Sequence, residues 1–206
     1  MTSIPKFGDH REQIWQTLAE KVGGTFVDEP GASFDKVIAN ADPWTVTLDV
    51  HAYPGYKMEQ HFTRMRAPYV NADGFTFVLH KRNLFEQVQA KLGLHNALGN
   101  AETGHEEIDK SFIVRTNNPE QLKRLFNNDR LRQLVIDLPN VHLQVKPDDG
   151  EFGPRFPQGV DELYFEVPGE INNLDQLKNL YDLFSEVLHT LCHIGSAYES
   201  DPHLPL

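Results

Sequence analysis

The sequence predicts an α+β protein: a predominantly antiparallel sheet with helices packed on one face, in two halves sharing one core. Three observations carry that expectation. From Trp44 the residues alternate, with Trp44, Val46, Leu48, Val50 and Ala52 on one face and Thr45, Thr47, Asp49, His51 and Tyr53 on the other, the period of a half-buried strand. Two further alternating runs, His61 to Ala67 and Phe75 to Lys81, follow with the hairpin-type signal Asp73-Gly74 between them. Near the C-terminus, Leu174, Leu177, Leu180, Tyr181, Leu183, Phe184, Val187, Leu188 and Leu191 fall within one half of a helix at about 100° per residue.

In chain order, Asp9 with Glu12 opens an amphipathic helix through Ile14, Trp15, Leu18, Ala19 and Val22, which Gly23-Gly24 stops. Thr25 to Val27 and Phe34 to Ala39 read as short strands around a Pro30-Gly31 turn. After the strands from Trp44 to Lys81, a helix is expected past Asn83 with Leu84, Phe85, Val88 and Leu92 inward, ending at Gly93. Leu94 to Gly104 reads as the one internal linker, so residues 1–206 form a single domain of two packed halves, 1–100 and 105–206. Phe112 to Thr116 is a strand. Asn118, Pro119 and Gln121 form the start of a helix that buries Leu122, Leu125 and Phe126, with an Asn-x-x-Gln box. Asp129 caps the next helix, with Leu131, Leu134, Val135 and Leu138 inward and Pro139 as its stop. Val141, Leu143 and Val145 alternate with His142 and Gln144 as a strand, for which Leu163 to Val167 is the expected partner. Between them lies a long Gly/Pro-rich loop, Lys146 to Val160. Asn173 with Gln176 caps the final helix; its apolar residues also fit a heptad seam, but over too short a span for a coiled coil, so the stripe is assigned to the core.

The 206 residues carry 19 Lys and Arg against 30 Asp and Glu, a formal net charge of -11 that opposes sequence-independent attraction to nucleic acid and anionic membranes. The single cysteine, Cys192, forms no internal disulfide and points to a reducing compartment. The first residues lack an apolar h-region and no run approaches the ~20 residues of a membrane span. A cytoplasmic protein is expected.

Two clusters could carry chemistry. Asp49, His51, Arg64, Arg66 and His80 fall on the outward faces of the first-half strands, where the ordinary role is the wet side of a sheet and the functional one is a platform for a small anionic ligand, with Arg64 and Arg66 as fork donors. On the last helix, Glu186, His189 and His193 have spacings that could present ligands to a metal, although they lie on its polar half, opposite the stripe a bundle-core site would use. Cys192 borders the apolar stripe as a small hydrophobe. His105, Glu106, Glu107 and Asp109 read as a solvated loop. Nucleophile-elbow, P-loop, dinucleotide-binding and His-Glu-x-x-His patterns are absent, and no cofactor is expected. These features favour a non-catalytic module binding a small anionic ligand or a protein partner, including a second copy of itself; the alternative is a hydrolase or metal-dependent enzyme.

Glu107 to Asn118, Glu-Ile-Asp-Lys-Ser-Phe-Ile-Val-Arg-Thr-Asn-Asn, resembles the acidic-x-Phe-Asp-x-x-Phe-x-Val-x-Ser/Thr-Asn-Asp pattern of a family of uncharacterised bacterial proteins, with Ile108 in place of Phe. The similarity extends to Phe62-Thr63-Arg64, Asp161 to Phe165, Gly169 to Leu177 and the terminal helix. It implies a shared fold and brings no activity or ligand with it.

Overall fold

The alternating runs become strands of one sheet. The computed structural model describes residues 9–28, 35–53, 60–82, 98–147, 156–204 and 206. Within them the strands are β1 (Thr25–Val27), β2 (Lys36–Ala41), β3 (Trp44–Tyr53), β4 (Gln60–Val70), β5 (Phe77–Lys81), β6 (Gly99–Ala101), β7 (Phe112–Thr116), β8 (His142–Lys146) and β9 (Val160–Pro168). They form a nine-stranded sheet in the order β1-β2-β3-β4-β9-β8-β5-β7-β6 with every pair antiparallel. Five helices among the described residues pack against it: α1 (Asp9–Val22), α2 (Glu106–Ser111), α3 (Pro119–Phe126), α4 (Asp129–Asp137) and α5 (Leu174–His193).

Register explains why one face is apolar. Leu48 pairs with Met65, Met65 with Phe165, Phe165 with Leu143, Leu143 with Leu79 and Leu79 with Val114, a continuous row across six strands. That row joins Trp15 and Leu18 of α1, Leu122 and Leu125 of α3, and Leu180, Phe184 and Leu188 of α5 in one buried cluster. The α+β expectation thus holds, and the stripe of α5 is core. Because β9 and β8 lie between β4 and β5, the two halves interleave in a single sheet.

Local chemistry sets the element ends. Gly23 takes a φ of 67°, and a Cβ on Gly24 would lie 2.6 Å from the Ile38 carbonyl oxygen, so α1 stops at a left-handed residue followed by one with no room for a side chain. The Asn118 and Asn173 side chains accept from the Gln121 and Gln176 amides, as expected of N-caps.

Several expectations are corrected. Asn128, not Asp129, caps α4, by accepting from the Leu131 N–H at 3.1 Å. Residues 106–111 form a helix instead of a solvated loop, because Ile108 is fully buried and the Asp109 carboxylate gathers the Thr103 N–H, the Thr103 hydroxyl and the Gly104 N–H. Part of the expected linker is strand β6, paired with β7. β4 runs through Pro68 to Val70; its pairing with β3 ends at Thr47–Arg66, so at Pro68 no β3 residue needs the missing N–H. The helix expected past Asn83 falls outside the described residues, as does 148–155 of the long loop.

Gln121 does not complete the capping box. Its Nε2 donates to Asp73 Oδ2 at 2.8 Å and Ser196 Oγ at 3.0 Å, tying α3 to the β4–β5 turn and the segment after α5. Replacing Gln121 with Ala should lower unfolding free energy by about 1–2 kcal/mol in urea titrations, whereas a purely local cap role would leave it nearly unchanged.

Candidate functional site

The sheet face opposite the helices is polar, and register assembles it as the apolar face was assembled. Asp49 pairs with Arg64 and Arg64 with Glu166; continuing the Leu143–Phe165 register by one residue sets His142 beside Glu166, and His142 pairs with His80. A second row runs Thr47, Arg66, Tyr164, Gln144 and Val78, and Glu162 pairs with Lys146 at its edge. Much of this polar face is nonetheless out of water: Thr47, Asp49, His80, His142, Gln144, Glu162, Tyr164 and Glu166 are all buried.

Asp49 is the centre of the network. Arg64 grips it with Nε on Oδ1 at 2.8 Å and Nη2 on Oδ2 at 2.7 Å, the bidentate fork, and Arg66 Nη2 adds a third bond at 2.9 Å. Burial alone would raise the Asp49 pKa, but the bonds and charges of Arg64 and Arg66 outweigh it and hold the carboxyl below its usual range. The Arg64 guanidinium is raised in turn: its bond to Asp49 overcomes the effect of burial. Arg66 Nη1 also faces Glu162 Oε1 at 4.0 Å. Burial raises Glu162 against the opposing charge of Arg66, and raises Glu166 against its hydrogen bond from Tyr164 and the charge of Lys146. Burial, reinforced by Glu166, also raises Tyr164, over whose ring the Lys146 ammonium sits 3.3 Å from the centroid.

Three carboxylates therefore face three cations, Asp49, Glu162 and Glu166 against Arg64, Arg66 and Lys146, within an acidic chain. Buried atoms on this face that make no hydrogen bond include Arg66 Nε, His142 Nε2, Glu162 Oε1 and Glu166 Oε1. Along one edge run half-buried His51 and Tyr53 with buried Phe62; the His51 and Tyr53 rings meet edge-on at 4.5 Å, as do Tyr53 and Phe62 at 5.2 Å. Burial and the charge of Arg64 lower the His51 pKa despite Asp49.

Of the five residues read from the sequence, Asp49, Arg64 and Arg66 are in direct contact and His51 adjoins them. His80 shares the face but stands four strand spacings from Asp49, roughly 19 Å, and belongs with His142, ring centroids 6.4 Å apart. Sequence reasoning missed Tyr53, Glu162, Tyr164, Glu166 and Lys146, although Glu162, Tyr164 and Glu166 alternate along β9 in register with the outward face.

Glu186, His189 and His193 line a separate groove of about 660 Å³ with Arg124, Asn127, Asn128, Thr190 and Ile194. Here Glu186 Oε1 accepts from Asn128 at 2.6 Å and Oε2 pairs with Arg130 at 3.2 Å, while His189 Nδ1 donates to the Ser185 carbonyl at 2.7 Å and its ring meets Trp44 edge-on. Among the described residues no group of three or more His, Cys, Asp and Glu is arranged to hold a metal ion. Cys192 is half-buried and its thiol is pushed up by burial, then by the charge of Glu199.

Fold and site together define an α+β protein whose single sheet gives one face to a helical core and the other to a charge-balanced polar network. No protein-family model matches the chain, and no curated protein matches it. Among solved structures, the mycobacterial trehalose monomycolate transport factor A, TtfA, matches with a TM-score of 0.51 over 90% of this chain and 97% of that one, at 10% sequence identity. That likeness is one of fold; no family model matches the resemblance read from the central stretch. No helix among the described residues is long and apolar enough to cross a membrane.

Proposed function

We propose that the chain is a non-catalytic binding module that holds a small polar ligand against the sheet face opposite its helices. The observation that carries this reading is the set of buried polar atoms without a hydrogen bond, Arg66 Nε, His142 Nε2 and Glu166 Oε1 among them, inside a charge-compensated network. A buried polar group without a hydrogen bond costs about 1–3 kcal/mol, so several on one face are a standing loss that a ligand would relieve. The ionisable groups are committed to holding one another: both arginines grip Asp49, and Lys146 lies on Tyr164. Such an arrangement suits recognition better than proton transfer. The architecture shared with a protein named as a transport factor is in keeping with a binding role.

The test is a thermal-shift screen of small polar compounds against the wild type and Tyr53→Ala. Tyr53 is at the half-buried edge, so its removal should leave the fold intact and weaken any ligand by about two- to tenfold, the worth of one aromatic contact. A panel in which no compound stabilises the wild type would refute the reading.

A further inference from the structure

We infer that the segment after α5, residues 199–204, is a strap across the polar face, bolted by Asp201 and able to open while the sheet stays folded. The inference stands whether or not that face binds a ligand. The chain reaches the face from the far end of β4, where Ala197 bridges Asn71 and the Tyr198 N–H donates to the Val70 carbonyl at 3.0 Å. The register of β3 with β4 ends at Thr47–Arg66, and Thr45, two residues outside it, gives its N–H to Asp201 instead. Asp201 Oδ2 accepts that N–H at 2.9 Å and the Thr45 hydroxyl at 2.6 Å, while Oδ1 accepts the His203 N–H at 2.6 Å. The Asp201 side chain is only 5% exposed.

A second contact shows which way the strap runs. Lys36 Nζ donates to the Leu206 carbonyl at 3.5 Å, and Lys36 pairs with Asp49 in the β2–β3 register. Thr45 and Lys36 lie four residues apart along the sheet and one strand apart across it, roughly 14 Å. The five residue steps from Asp201 to Leu206 span up to about 17 Å when extended, so the segment can cross this distance. It thus passes the column of Thr47 and Asp49, which are 3% and 8% exposed on a face that helices do not cover. Little apolar packing holds it there: no residue of 199–204 belongs to the buried core cluster, and Tyr198 at its root is 58% exposed. His203 also sits at a φ of 54°, a conformation disfavoured for a residue with a side chain and relieved when the strap lifts. A segment held by one carboxylate, without core contacts, opens well below the free energy of global unfolding. Opening admits water and solutes to the Asp49 end of the network.

The Thr45 amide reports the closed state, because its acceptor is the strap and not a neighbouring strand. Hydrogen exchange of the wild type, followed by NMR at rising sub-denaturing urea, should show this amide exchanging at least about tenfold faster than the slowest amides of β3 and β4. Its rate should be nearly independent of urea, as expected of an opening that exposes little surface. The far end is read separately: acetylation of the Lys36 amine should be severalfold faster in Asp201→Ala, although the substitution is roughly 14 Å away. A Thr45 amide with the same urea dependence as the slowest β3 and β4 amides would mean that the segment leaves only when the whole sheet unfolds, and the strap would be overturned. Unchanged Lys36 acetylation in Asp201→Ala would overturn Asp201 as the bolt.

Discussion

Replacing Asp49 with alanine is expected to remove about 3–5 kcal/mol of unfolding free energy, the cost of breaking a buried ion pair by taking away one partner. The single carboxylate accepts three hydrogen bonds from Arg64 and Arg66, and both arginine side chains are about 15% exposed. Without it, two cations remain beside each other in a poorly hydrated site. The contrast is Lys110–Glu106, whose side chains are 72% and 79% exposed and whose loss should cost no more than about 1 kcal/mol. Urea titration of D49A and E106A side by side measures both. A D49A cost below about 1 kcal/mol would mean that water reaches the guanidinium groups. Because the folded Asp49 pKa is depressed, its contribution is complete above the unfolded value of about 3.9 and is lost only as pH falls through the lower folded one.

Acidification from pH 7 to pH 5 should destabilise the protein through a different pair, His80 and His142. Burial, aided by the charge of Arg115, holds His80 down to about 4; burial, then the charges of His80 and Lys146, holds His142 down to about 3. The unfolded chain takes up protons at about 6.5, so it binds more protons than the native state throughout the window between. Stability is therefore full above pH 6.5 and falls as pH drops toward 4, by about 3–4 kcal/mol for the two rings between pH 7 and pH 5. Glu162 and Glu166, raised by burial, act in the opposite sense, losing stability as pH rises through their folded values. The decisive quantity is hence the difference in pH slope between the wild type and the H80Q/H142Q double variant, in which the carboxylates are unchanged. Equal slopes would show that the rings are charged in the native protein or remain in contact with water.

Much of the architecture was legible because it is local. Strand β3 follows from alternation at Trp44–Tyr53, the caps of α3 and α5 from Asn118 and Asn173, and the depth of α5 from its leucine stripe. Errors fell where a tertiary partner decides: Ile108 looks like any apolar residue beside acidic ones until the core claims it, and Pro68 looks like a strand breaker until β3 is seen to have ended its pairing. The site was half legible for the same reason. Arg64 and Arg66 alternate visibly, as do Glu162, Tyr164 and Glu166. Nothing in either run says that they are neighbours, because Arg64 and Glu166 pair across about half of the 206-residue chain. With only the first half in view, Arg64 and Arg66 looked like free anion donors, whereas in the fold they are balanced by carboxylates from both flanking strands.

The strand order also bears on how the molecule is made. β9 lies between β4 and β8, so during synthesis both strands emerge with a bare edge toward the place β9 will fill. Such edges invite pairing with other chains, and closing contacts between residues so far apart is slow. Once β9 enters, it joins the β1–β4 block to the β8–β5–β7–β6 block and carries in Glu162, Tyr164 and Glu166. A ribosome-bound chain halted before residue 160 thus has its arginines but not the β9 carboxylates that balance them; the polar network is completed by the ninth strand, in the same step that makes the sheet whole.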